Sequence, residues 1–277
     1  MQARSALFDL YGDYLRTRGG YAPVAALVRL LAPLQIAAPA VRTAVSRMVR
    51  QGWLRPTRLP SGPGYALTPR AVRRVDDAGA RIYRTKPPSW DGAFDLVMLE
   101  PPASRTARSR LAGNLSYLGY GQLNGSSWLA PRPAAEVDAL LAEADVPAQR
   151  FTARPAGGQP AAVELLHRAW DLDELAAAYQ KFVTELEPVV EPVSATREDA
   201  AAYTARFRLV HAWRGFLFRD PQLPGELLPD SWPGAAAASF FDHHANRLRP
   251  AADRYVDAQL TGDDRLAALS STTRGVL

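Results

Sequence analysis

The 277 residues are 47% hydrophobic and 22% charged, lack cysteine and carry a formal net charge of +5, enough chain for two or three compact units. The missing cysteine excludes disulfides, thiolate metal sites and a thiol nucleophile, and no apolar run reaches the ~20 residues that span a bilayer. The charge is uneven: residues 1–86 hold fifteen Lys/Arg against four Asp/Glu, and the remainder eighteen against twenty-four. A basic first third on an acidic body points to a polyanionic partner confined to that third. All but Lys86 of its basic residues are arginine, whose planar fork suits phosphates and guanine edges. The opening MQARSALFDLYGDYL carries Asp9 and Asp13 inside its apolar run, unlike a secretory leader. A soluble, cytoplasmic protein is expected.

Taken in order, Ser5 is placed to cap a first helix reaching about Arg16, with Leu7, Leu10, Tyr11 and Tyr14 inward. Gly19-Gly20 breaks it, and a second helix begins near Pro23 with Val24, Leu27, Val28 and Leu31 inward. The turn Gln35–Ala38 leads into PAVRTAVSRMVRQGW, where Val41, Ala44, Val45, Met48 and Val49 form one apolar stripe. Arg42, Thr43, Ser46, Arg47 and Arg50 fall on the opposite side. Pro39 suits the first helical turn and Gly52 the left-handed cap. A turn-rich tip carrying Arg55, Arg58, Ser61, Gly62 and Gly64 then precedes a short strand, Tyr65-Ala66-Leu67.

Helix, helix, turn, helix and basic hairpin make the pattern of a winged helix-turn-helix over residues 1–86, which engages double-stranded DNA with its last helix in the major groove. Arg42, Thr43, Ser46 and Arg47 are the expected groove residues, and Arg50, Arg55 and Arg58 the expected phosphate contacts. The competing reading is an ordinary amphipathic helix with a solvated face, although no acid on that face balances its arginines.

Thr68-Pro69 opens a further arginine-rich helix to about Arg84, and Lys86-Pro87-Pro88-Ser89 reads as a stiff linker. Residues 90–155 give a buried strand at Phe94–Leu99, a helix over 104–118, two strand pieces about Asn124-Gly125, a helix over 134–143 and a strand over 149–154. That order predicts a ferredoxin-like α/β domain. Residues 160–277 read as helical: Asp171-x-x-Glu174 opens one helix and Thr196-x-x-Asp199 a second through Phe218. A proline-rich connector, DPQLPGELLPDSWPG, precedes a last helix from Ala235 to about Leu260. The expected class is α+β, in three parts: a DNA-binding domain, a middle domain and a helical effector and dimer domain.

Catalytic signatures are missing: there is no G-x-S-x-G elbow and no phosphate-binding G-x-x-x-x-G-K loop. His243 and His244 are adjacent on a helix, so their side chains diverge and fit one metal ion poorly. No cofactor and no metal are expected. Arg206 to Arg219 interleaves Phe207, His211, Trp213, Phe216 and Phe218 with Arg206, Arg208, Arg214 and Arg219. Two readings stay open there: aromatics filling a core with arginines paired to neighbouring acids, or a slot for an aromatic, anionic ligand.

Nearly the whole chain resembles the PaaX-type repressors of phenylacetic-acid degradation. The resemblance is carried by SALFDLYGDYLRTRGG, AVRTAVSRMVRQGWL, YALTPR, WDGAFDLVMLEPP, LGYGQLNGSSWLAPRP, RAWDLDELAAAYQKFV and RLVHAWRGFLFRDPQLPGELLPDSWPG, in that order. It implies a dimeric, non-enzymatic transcriptional regulator of aromatic-acid catabolism, released from its operator by an aryl-CoA thioester such as phenylacetyl-CoA. Arg206, His211, Trp213, Arg214 and Arg219 are then the candidate effector contacts. Regulation of unrelated genes by another acyl-CoA or small acid is the alternative within the class. The middle part also looks like the ferredoxin-like CRISPR adaptation nuclease, which makes a metal-dependent nuclease using Asp95 or Glu100 the rival outside it. A lone Glu100 supplies too few oxygens for a divalent metal.

Overall fold

The computed structural model describes residues 1–59, 62–82, 89–100, 104–144, 146–193 and 198–273. Lys86, Pro87 and Pro88 of the expected linker, Ser61 at the hairpin tip and Thr196 of the expected cap lie outside these residues. The chain divides into two compact units, one of residues 1–83, 184–213 and 239–277, the other of 84–183 and 214–238. The C-terminal helices therefore contribute to both.

In the first unit, α1 (Ala3–Leu10) starts after Gln2, which gives no side-chain cap. Ser5 is thus inside the helix rather than at its start. The helix continues through a π-helical turn, Tyr11–Leu15, and a 3₁₀ turn, Arg16–Arg18, before Gly19 at φ 85° ends it. Tyr21–Pro23 form β1, so the residue expected to open the second helix ends a strand instead. Then come α2 (Val24–Leu31), α3 (Ala38–Arg50), β2 (Leu54–Leu59), β3 (Gly62–Leu67) and α4 (Pro69–Ile82).

The three strands pair antiparallel in the order β1-β3-β2. Arg55 and Arg58 therefore lie along β2 rather than in a turn, and being three apart they point to opposite faces of the hairpin. Gly64 is required where β3 runs between its neighbours: a Cβ there would meet Leu59 Cδ1 at 2.4 Å and the Ala22 carbonyl at 2.9 Å.

The core of this unit joins both ends of the sequence. Leu7, Leu10, Tyr11, Tyr14, Leu27, Leu30, Val41, Val45 and Met48 share one cluster with Tyr203 and Phe207 of α9 (Asp199–Trp213) and Ala252 and Val256 of α10 (Pro233–Thr273). The helix α10 runs well beyond the expected end near Leu260 and carries Pro250 within it.

The second unit holds β4 (Phe94–Leu99), α5 (Arg105–Tyr117), β5 (Gly121–Gln122), β6 (Ser127–Ala130), α6 (Val137–Ala144) and β7 (Ala148–Ala153). Its sheet has the order β5-β6-β4-β7, antiparallel throughout, so the first strand is central and flanked by the third and fourth. Val97, Tyr120, Trp128 and Ala130 pack on Leu111 and Leu115 of α5 and Val137 and Leu141 of α6. Phe94 and Leu129 instead meet Ala162 and Leu166 of α7 (Gly158–Ala169), together with Leu172, Leu223 and Leu227. Strand alternation thus splits the apolar run of β4 between two layers. Asp171 Oδ1 accepts the Glu174 N–H at 2.8 Å at the start of α8 (Leu172–Val190), the capping contact read from the sequence.

Candidate nucleic-acid interface and effector residues

The local chemistry of α3 sets the interface. Pro39 sits in its first turn, and Gly52, at φ 71°, lets the Trp53 N–H reach back to the Met48 carbonyl at 2.9 Å. Val41, Ala44, Val45 and Met48 are buried, which turns Arg42, Thr43, Ser46, Arg47 and Arg50 outward. All five are exposed, as are Arg55 and Arg58 on β2. None of the seven side chains forms a hydrogen bond or ion pair with the described residues. Arginines without acids on a surface helix leave their donors to an external acceptor.

Just after α3 in the chain, Trp53 joins a run of ring and guanidinium contacts. The Arg70 guanidinium stands 4.5 Å from the Trp53 ring centroid, Trp53 meets Phe8 edge-on at 5.4 Å, and Arg4 lies over Phe8. Stacking fixes the plane of a guanidinium while leaving its edge N–H groups available. The signal was the Trp directly after the glycine cap with an arginine opening the next helix.

The expected effector residues divide between the two units. Arg206 is 1% exposed: its guanidinium pairs with the Asp13 carboxylate, donates to Tyr14 Oη at 2.9 Å, and its Nε donates to the Ala245 carbonyl at 2.9 Å. Arg249 approaches the same carboxylate at 3.7 Å. His211 is half-buried with Nδ1 2.5 Å from Asp9 Oδ2, and burial depresses its pKa, with the N-terminal ammonium adding to the effect. Trp213 is buried against Phe241, rings stacked at 4.8 Å, and its Nε1 donates to the Ile82 carbonyl. These three serve the interior of the first unit. Arg214 and Arg219 belong to the second unit, where desolvation lowers the Arg214 guanidinium to about 10 and Arg219 is exposed.

Asp13 and Asp9 are functional residues in the structural sense that sequence reading missed. Four apart, they lie on the same side of the helix as Leu10 and Tyr14, a spacing that marks carboxylates turned inward. The neighbouring Tyr14 and Tyr203 phenols are pushed well above their ordinary range by burial.

Asp95 and Glu100 are not brought together as a metal site. Asp95 accepts hydrogen bonds from the Tyr120 hydroxyl and from Arg150, whose Nη2 lies 3.0 Å away, while Glu100 is exposed. No group of three metal-ligating side chains occurs among the described residues, and none of their helices is long and apolar enough to cross a membrane.

Comparison with known proteins places these features in a lineage. Residues 2–71 match the family described as PaaX-like protein, residues 87–164 the PaaX protein central Cas2-like domain, and residues 170–258 the PaaX-like protein C-terminal domain. The Transcriptional repressor PaaX of Escherichia coli (strain K12) is 31% identical over 263 residues, covering 91% of this chain and 82% of that protein. Among solved structures, the uncharacterized protein Rv0674 from Mycobacterium tuberculosis shares the fold, with TM-score 0.63 and 22% identity over 93% of this chain and 98% of its own. With its models covering most of the chain and a repressor as a relative along nearly its whole length, this protein belongs to the PaaX family.

Proposed function

We propose that the protein is a cytoplasmic, dimeric, sequence-specific repressor of aromatic-acid catabolism genes, released from its operator by an aryl-CoA thioester. Family membership makes it a regulator of transcription rather than an enzyme. The observation that carries the DNA reading is the row of exposed arginines on α3 with no acid beside them. The helical order and the β2–β3 hairpin support a winged helix-turn-helix, and the strand order of the second unit supports a ferredoxin-like middle domain.

In this reading α3 enters the major groove. Arg42 and Arg47 each present a planar fork to guanine O6 and N7, Thr43 and Ser46 lie between them at the base edges, and Arg50, Arg55 and Arg58 clamp phosphates. A two-fold dimer would bind an inverted repeat whose half-sites are spaced by whole helical turns. The thioester acts by binding the DNA-incompetent state more tightly, since equal affinity for both states would shift nothing.

A gel-shift titration on the promoter region of the protein's own gene, with and without phenylacetyl-CoA, tests the proposal. The expected outcome is specific binding released by the thioester and retained with free phenylacetate. Specific binding that ignores the thioester would redirect the effector to another acyl-CoA or small acid. Absence of specific binding at moderate salt would refute the regulator, and magnesium-dependent cleavage lost in Glu100→Gln would establish the nuclease instead.

A further inference from the structure

The second unit contains a hollow of about 440 Å³ at the junction of α5, β5, β6 and the turn between α7 and α8. The half-buried Trp170 borders it together with the nearly buried Tyr120 and Trp128, and its small side is made by Ala112 and Gly113 of α5. Gly121 lets the Trp170 indole lie against β5, since a Cβ there would stand 2.5 Å from Cε2. Trp170, Asp171 and Arg219 also border a second hollow of about 180 Å³, lined further by Glu174.

Arg219 stands at this shared rim. It is exposed, and its guanidinium makes no hydrogen bond or ion pair with the described residues. Asp171, the acid at the same rim, has one carboxylate oxygen engaged by the Glu174 N–H. A space bordered by Trp170, opened by an alanine and a glycine, and edged by a guanidinium with no partner among the described residues suits a flat ring attached to an anion. Its volume lies within the range of small-molecule sites.

We propose that this hollow is the effector site, taking an aromatic acyl group against Trp170 and holding the anionic part of the same molecule at Arg219. The assignment rests on the reading of the chain as a ligand-released regulator. It keeps Arg219 of the stretch 206–219 singled out in the sequence and sets aside Arg206, whose guanidinium is committed to Asp13.

Gly113 provides a direct probe. A Cβ at this position meets nothing within 4 Å, and the residue lies in a helix that a larger side chain favours over glycine. Gly113→Leu therefore adds a bulky side chain at the hollow's lining without a clash at its base. Calorimetric titration of the full chain with phenylacetyl-CoA, coenzyme A and phenylacetate is the test, applied to the parent, to Gly113→Leu and to Arg219→Gln, with thermal unfolding as the fold control. Saturable thioester binding by the parent, weakened about tenfold or more in each variant, is expected. Thioester binding unchanged in Arg219→Gln, or in a Gly113→Leu that unfolds no earlier than the parent, overturns the site and leaves the ligand-released regulator standing. Thioester binding by none of the proteins overturns both. Equal affinity for coenzyme A and the thioester removes the aromatic part of the proposal and so also overturns it. If Gly113→Leu fails to fold, the exposed Arg219→Gln decides alone.

Discussion

Two arginine-bearing regions of the first unit teach opposite lessons. On α3 the guanidiniums are exposed and have no acidic partner among the described residues. Between the π-helical turn and α9, Arg206 is sealed from water and bonded to a carboxylate, a phenol and a carbonyl. The same side chain is left open to an external acceptor in the first place and is a piece of scaffold in the second. The difference lies entirely in whether the fold supplies an acceptor. A buried ion pair gains little over a well-packed apolar pair, yet losing one partner strands a charge.

The largest effect that would break this comparison is at the buried pair. Arg206→Ala should lower stability by about 3–5 kcal/mol, because it breaks a buried ion pair by removing one partner. Denaturant unfolding measures the loss; a change no larger than that of a surface residue would show that the pair is not holding the unit. The double change Asp13→Leu with Arg206→Met should regain much of it, since neither charge is then stranded.

The exposed row should behave in the reverse way. Arg42→Ala or Arg47→Ala is expected to leave stability within about 0.5 kcal/mol and to cost about 1–3 kcal/mol of operator affinity, with relaxed specificity at one base pair. Arg50→Ala should weaken all sequences alike and reduce the slope of log affinity against log salt by about one. Base-specific loss at Arg50 with uniform loss at Arg42 would invert the assignment of readers and clamps.

The smallest effect concerns His244, which is buried on α10. Its Nδ1 accepts from Arg247 at 3.2 Å, and its Nε2 lies 3.4 Å from Glu191. Burial, then Arg247, hold its pKa below the ordinary 6.5, with His243 acting the same way and Glu191 and Glu187 opposing. A depressed histidine gives stability that is complete above pH 6.5 and is lost as the pH falls through the folded value. Unfolding measured from pH 7.5 to about 5.5 should show that decline, flattened in His244→Gln.

What could be read from the sequence follows from periodicity. The stripe of α3 stands out because four buried residues at helical spacing alternate with arginines, and the apolar run of β4 is bounded by turn residues. The strand β1 escaped because three residues carry no period; they are a strand only by pairing with β3. The exposed, unpaired state of Arg42 was legible because no acid shares its helix. The burial of Arg206 was not, because its partner Asp13 lies 193 residues away. Arg219 was named among the candidate contacts, whereas Tyr120, Trp128, Trp170 and Gly113 meet it only through the packing of separate segments. Non-local pairing is invisible to any window along the chain.

The shared core of the first unit has a consequence in time. Ribosomes deliver the chain from the N-terminus at about 5–20 residues per second, so α1, α2 and α3 emerge long before Tyr203, Phe207, Ala252 and Val256 that complete their packing. The part of the molecule made first is thus the last to be finished. A transcript broken anywhere before the codons of α10 would yield a fragment whose first helices lack the Ala252 and Val256 side of their core. Completeness of translation is written into the core of the first unit.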